Sequence, residues 1–166
     1  AKVAPGFRMQ GQMIAVIDYG AGNLRSVINV ITRLGGGATV TSNPGELLRA
    51  AAVVRPGVGA AADTMRSLEQ AGMAEAIRRV ISEKKPFLAV CVGMQVLFDE
   101  TEEDGRRRCL GIIPGVVRRL PPGLKVPHMG WNSLSIRREH PLLAGIPDGA
   151  YVYFVHSYRA GVDGHT

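Results

Sequence analysis

Cysteine is scarce: the 166-residue chain has two, Cys91 and Cys109. Two thiols cannot build the multi-bridge framework of a small secreted scaffold, so a reducing compartment is expected, with the cytoplasm as the default. Aromatic residues are also few, at 5%. The net charge is +6, but the basic residues fall in scattered pairs and one triplet, Arg106 to Arg108. A basic stripe with stacking platforms is therefore missing, which argues against nucleic acid and leaves a solvated surface suited to an acidic protein partner or an anionic ligand. No apolar run approaches the ~20 residues that cross a bilayer, and no segment has the layout of a signal peptide, so no membrane association is expected. The four histidines have no Cys, His or carboxylate partners at ligand spacing, so no metal and no cofactor is expected.

What is present is length and alternation. A domain of about 150 residues buries roughly 68–70% of its unfolded surface. Residues 1–12 (AKVAPGFRMQGQ) show no periodicity and are set aside as a disordered or non-native extension, with Met13 a candidate first residue and residues 13–166 one domain. IAVID then reads as a buried strand. Leu24, Val27, Ile28, Ile31 and Leu34 recur at helical spacing, and Gly35 to Gly37 end that helix. Strands follow at Ala38 to Thr41 and Ala51 to Val54, separated by a brief helix opened by Asn43-Pro44. Helical spacing resumes through Met65, Leu68, Met73, Ile77, Val80 and Ile81. Strand, helix, strand, helix in this order predicts a doubly wound, mostly parallel sheet with ligands at the carboxyl ends of its strands. After Phe98 a charged loop (Thr101 to Arg108) and short segments broken by Pro and Gly, at Leu110 to Arg119 and Leu124 to Ile136, predict an antiparallel extension.

The chemistry points to residues 84–98, KKPFLAVCVGMQVLF. Phe87 to Val90 reads as a strand buried on both faces, and Val92, Met94, Val96, Leu97 and Phe98 as a buried helix. Cys91 would then sit on the sharp turn between them, where helix N–H groups and the dipole favour a thiolate or a developing oxyanion, as in a nucleophile elbow. Taken alone, such a cysteine is more often inert core. The loop Pro56-Gly57-Val58-Gly59 also follows a strand, and its glycines let backbone N–H groups turn toward a ligand, although a plain connection is equally open. Asn23, this loop and Cys91 are expected on one rim. Cys109 lies among basic residues that would lower its pKa, but no base accompanies it, so a structural role is expected.

DYGAGN (Asp18 to Asn23), PGVGA (Pro56 to Ala60), CVGMQVLF (Cys91 to Phe98), GIIPGVV (Gly111 to Val117), KVPHMGWN (Lys125 to Asn132) and YFVHSY (Tyr153 to Tyr158) resemble, in order and approximate spacing, the glutaminase subunits of imidazole glycerol phosphate synthases, which are class I glutamine amidotransferases. The resemblance implies the flavodoxin-like amidotransferase fold and hydrolysis of glutamine to glutamate and ammonia for histidine biosynthesis. It implies Cys91 as nucleophile, Val92 with the Val58–Gly59 peptide region as oxyanion hole, and Gln95, Ser157 and Tyr158 gripping the amino-acid end of glutamine. It also implies Asn23, His128 and Trp131 toward a partner, a (β/α)8 barrel cyclase in a heterodimer that receives the ammonia.

Three departures stand out. Ala89 replaces the usual glycine of the elbow, and Arg55 stands where an apolar residue is expected. The family's His and Glu of an HPE-type motif past the HSY segment have no counterpart before Thr166. The expectation from the last is a truncated subunit, and the alternative is a catalytically inactive, amidotransferase-like interaction module.

Overall fold

The computed structural model describes residues 13–20 and 22–161; residues 1–12 lie outside the described ones. The chain divides into two compact units, residues 13–119 with 158–161, and Leu120–Ser157.

The first unit opens with β1 (Met13–Ile17), α1 (Leu24–Arg33), β2 (Gly37–Thr41), α2 (Pro44–Arg49), β3 (Ala52–Arg55), α3 (Ala61–Gln70), α4 (Met73–Ser82) and β4 (Phe87–Ala89). These strands form one parallel sheet in the order β2-β1-β3-β4. Local chemistry sets most boundaries. The Asn23 and Asn43 side chains accept from the N–H groups of Ser26 (3.1 Å) and Gly45 (2.8 Å), capping α1 and α2, and Pro44 supplies a first-turn φ. The continuous helical spacing through Met65 to Ile81 proves to be two helices, because Gly72 takes a left-handed φ of 65° between them. The first turn of α3 has no local cap. Instead Glu103 accepts the Ala61 N–H at 2.7 Å, a neutralising carboxylate at a helix N-terminus.

One face of this sheet, with Ala15, Ile17 and Val53, packs against Leu47, Leu68, Met73, Ile77 and Val80 to form the core. The opposite face corrects the expectation of a strand buried on both sides. Leu88 and Val90 are 37% and 49% exposed. The reason is position: β4 is the outer strand, and α1 packs on β1 and β2.

The expected helix through Phe98 is a second correction. After Cys91, α5 spans only Val92–Gln95, and Phe98 opens β5 (Phe98–Thr101). The Leu97 carbonyl accepts from Ile112 (2.8 Å) and Ile113 (2.9 Å), and the Val96 carbonyl from Leu110 (2.9 Å). These distant donors draw the chain out of the helix once a strand lies alongside. The charged stretch after Thr101 closes a hairpin onto β6 (Arg107–Arg108), β5 pairs in parallel with β7 (Ile113–Arg119), and β10 (Tyr158–Ala160) pairs antiparallel with β7. In the second unit β8 (His128–Ser133), within the expected segment Leu124 to Ile136, forms an antiparallel ribbon with β9 (Tyr151–His156), a strand outside the segments expected for the extension.

Candidate active site

Three strand-end connections of the first unit are linked through the 56–59 loop, which rests on the helix that follows Cys91. The cysteine is exposed and holds φ 56°, ψ −125° between β4 and α5. A non-glycine residue in that region stores strain of roughly 1–3 kcal/mol, a feature that gathers at functional sites. The strain is imposed from both ends. The Val90 N–H is fixed to the Arg55 carbonyl at 3.0 Å, and the Gly93 N–H donates back to the Val90 carbonyl at 2.9 Å. Val92, as first residue of α5, presents an N–H with no partner one turn earlier in the helix.

Glycines make the approach of the second connection possible. A Cβ on Gly57 would lie 2.0 Å from the Gly93 nitrogen, and one on Gly93 would lie 2.5 Å from the Arg55 carbonyl oxygen. The backbone of the 56–59 loop therefore rests directly on the first turn of α5. Beyond the contact, Val58 and Gly59 are exposed, and Gly59 takes φ 84°. The third connection joins through Tyr19, whose hydroxyl oxygen accepts the Val58 N–H at 2.6 Å. A thiol on a strained elbow at a helix start, with a glycine loop packed against that helix, is an arrangement suited to attack on a carbonyl.

A sequence profile of the family described as glutamine amidotransferase class-I matches residues 15–163, across both units. The chain belongs to this family. A curated relative, the imidazole glycerol phosphate synthase subunit HisH of Dehalococcoides mccartyi (strain CBDB1), is 59% identical over 148 residues, covering 89% of this chain and 72% of the relative. The subunit of the same name from Chloroflexus aurantiacus is 58% identical over 154 residues, covering 90% of this chain and 73% of the relative. Among solved structures, a glutamine amidotransferase superposes with a TM-score of 0.64 at 18% identity, over 87% of this chain and 71% of that one, which shows the shared fold.

The remaining residues singled out in this amidotransferase fall in several places. Gln95 is buried beneath the elbow, and its Nε2 donates to the Tyr158 carbonyl at 3.1 Å, tying α5 to β10. Tyr158 is half-buried in β10. Ser157 belongs to the second unit, where its carbonyl accepts from the Leu120 N–H at 2.9 Å. Asn23 is the cap of α1, an intrinsic structural duty that the sequence reading did not assign to it. His128 and Trp131 lie on β8: His128 is half-buried with its Nδ1 3.1 Å from the His156 Nε2, while Trp131 is 69% exposed and meets the Tyr153 ring edge-on at 5.6 Å. The basic surroundings expected to lower the Cys109 pKa do not do so. Burial, then Glu100 and Glu103, push that thiol up, which fits a packing role.

Tyr19 and Arg55 are the participants that sequence reasoning missed or underrated. Arg55 is fully buried on the core face beneath the elbow, and none of its three guanidinium nitrogens has a hydrogen-bond partner among the described residues. Its charge lies 5.4 Å from the centre of the Tyr19 ring. Burial pushes the guanidinium down to about 10, with Tyr19 acting weakly in the opposite sense. Arg55→Met removes this uncompensated charge and should stabilise the fold by about 2 kcal/mol, or roughly 4–8 °C in Tm. The group is charged in both folded and unfolded states below about pH 10. The gain should therefore be the same at pH 6 and pH 8; it should shrink only as pH rises through that value, where the unfolded chain binds more protons and the wild type regains stability. Thermal unfolding at the two pH values checks this, and an unchanged or lower Tm for the variant refutes it.

Proposed function

We propose that this amidotransferase is the glutaminase subunit of an imidazole glycerol phosphate synthase, supplying ammonia to a cyclase subunit in histidine biosynthesis. The identity of 59% to a subunit of that name supports the pathway, and the exposed, strained Cys91 elbow carries the chemistry. The Cys91 sulfur attacks the side-chain amide carbon of glutamine and a C–S bond forms. The negative oxygen is held by the Val92 N–H and a donor of the Val58–Gly59 region, each worth ~2.7–4 kcal/mol at the transition state. The C–N bond then breaks, the amine leaves as ammonia with the proton the thiol gave up, and water converts the thioester to glutamate. Gln95, Ser157 and Tyr158 are proposed to hold the amino-acid end of the substrate. Asn23, His128 and Trp131 are proposed to face a (β/α)8 barrel partner in a cytoplasmic heterodimer, where shielding from water keeps ammonia unprotonated. No helix among the described residues is long and apolar enough to cross a membrane.

Treatment with a diazo-ketone analogue of glutamine tests this reading. Peptide mass mapping should find one adduct, on Cys91, with Cys109 unmodified because its raised pKa leaves little thiolate at neutral pH. Absence of an adduct on Cys91 would favour the inactive interaction module instead.

A further inference from the structure

We propose that Tyr19 is a positioning residue of the oxyanion loop, whose hydroxyl competes with the reacting oxygen for the Val58 N–H. The inference rests on the reading above, in which Cys91 is the nucleophile and the 58–59 region supplies a donor. A backbone N–H has one hydrogen to give. Here the Val58 hydrogen is given to the Tyr19 hydroxyl at 2.6 Å, while the hydroxyl's own approach to the Val58 carbonyl is long, at 3.4 Å. The tyrosine is held firmly in this position. It is 8% exposed, and the Arg55 guanidinium lies 5.4 Å from the centre of its ring. The outer part of the loop is less constrained: the Val58 side chain is exposed, and nothing lies within 4 Å of the position a Gly59 Cβ would take.

An alkoxide-like oxygen is a stronger acceptor than a neutral phenol, so the transition state can draw the hydrogen away from Tyr19, but it does so at the expense of an existing bond. The glutamine ground state, with a neutral carbonyl, does not contest that bond. The hydroxyl should accordingly depress kcat and leave KM alone, a signature of an interaction that differs only at the transition state.

Tyr19→Phe, in the full-length protein, keeps the ring and deletes the competitor. Its kcat for glutamine hydrolysis should rise about threefold to tenfold, the equivalent of one net hydrogen bond, with KM unchanged. A glutamine aldehyde analogue, which adds to the thiol as a tetrahedral oxyanion, should bind tighter to the variant by a similar factor. A kcat that is unchanged or lower, or an unaltered aldehyde affinity, overturns the proposal. Diazo-ketone labelling of Cys91 in the same samples separates this outcome from failure of the glutaminase reading, since an unlabelled Cys91 refutes the latter whatever Tyr19 does. The variant should melt about 2–4 °C below wild type, the cost of the deleted bond, and a much larger fall would overturn the proposal by showing that Tyr19 serves the fold as a whole.

Discussion

Cys91→Gly is expected to yield a protein more stable than the wild type and devoid of glutaminase activity. The two consequences have separate causes. At φ 56°, ψ −125° the cysteine Cβ is crowded by its own backbone, and glycine adopts that conformation without the penalty. Relief of roughly 1–3 kcal/mol of strain is offset by the ~0.5–1 kcal/mol that glycine's freedom in the unfolded chain costs. The net gain is about 1 kcal/mol, or 2–4 °C in Tm. Activity, by contrast, should fall by at least ~10⁴-fold, as when the nucleophile of a hydrolase is removed. Cys91→Ala is the control that separates strain from chemistry. It should be equally inactive, yet within about 0.5 kcal/mol of wild type in stability, because alanine keeps the crowded Cβ. Equal melting temperatures for the two variants would show that the elbow is relaxed, and the argument that the fold holds strain at Cys91 would fail. The expected pattern is an instance of stability given up at a site that needs a displayed side chain.

Gly57→Ala should be the most damaging of the conservative changes. Its Cβ would fall 2.0 Å from the Gly93 nitrogen, 2.8 Å from the Gly93 Cα and 2.8 Å from the Val92 carbonyl carbon. All three are backbone atoms of the elbow helix, and none can swing aside as a side-chain tip can. The loop and the helix must separate, which breaks the contact beneath Cys91 and displaces the oxyanion donors by something near an ångström. We expect a loss of about 3 kcal/mol of stability or slightly more, and a fall in kcat of roughly 100-fold. Gly59→Ala provides the contrast. Nothing lies within 4 Å of the position its Cβ would take, so its penalty is limited to the positive φ. Thermal unfolding and glutaminase kinetics of the pair test the distinction. A Gly57→Ala protein that melts within 2 °C of wild type would mean that the two backbones are not packed as described.

The residues that carry these predictions were unequally visible in the chain. The elbow could be anticipated because an apolar run, a cysteine and a small-residue helix start are adjacent in sequence, and such neighbours act through local geometry. The necessity of Gly57 could be suspected but not explained: its φ is unremarkable, and only the nearness of Gly93 forbids a side chain there. Asn23 was read through a resemblance and proves to cap α1, although an asparagine directly before Leu24, the first of the periodic apolar residues, carried that signal. Glu103 could not have been found as the cap of α3, since 42 residues separate it from Ala61. The error at Phe98 has a related cause. Val92 to Phe98 has a composition that either a helix or a strand can bury, and the outcome was decided by where residues 110–113 donate their N–H groups.

The sequence by itself determined the alternation of strands and helices, the caps of α1 and α2, the placing of Cys91 at a strand end and the family to which the chain belongs, because periodicity, capping and motif order are read within a few residues. Tertiary structure alone decided the half-exposed outer strand, the fate of Phe98, the solitary cation of Arg55 and the bond from Val58 to Tyr19, which spans 39 residues. Those features arise from contacts whose partners are distant along the chain, and a local pattern holds no record of which backbone will come to rest against which.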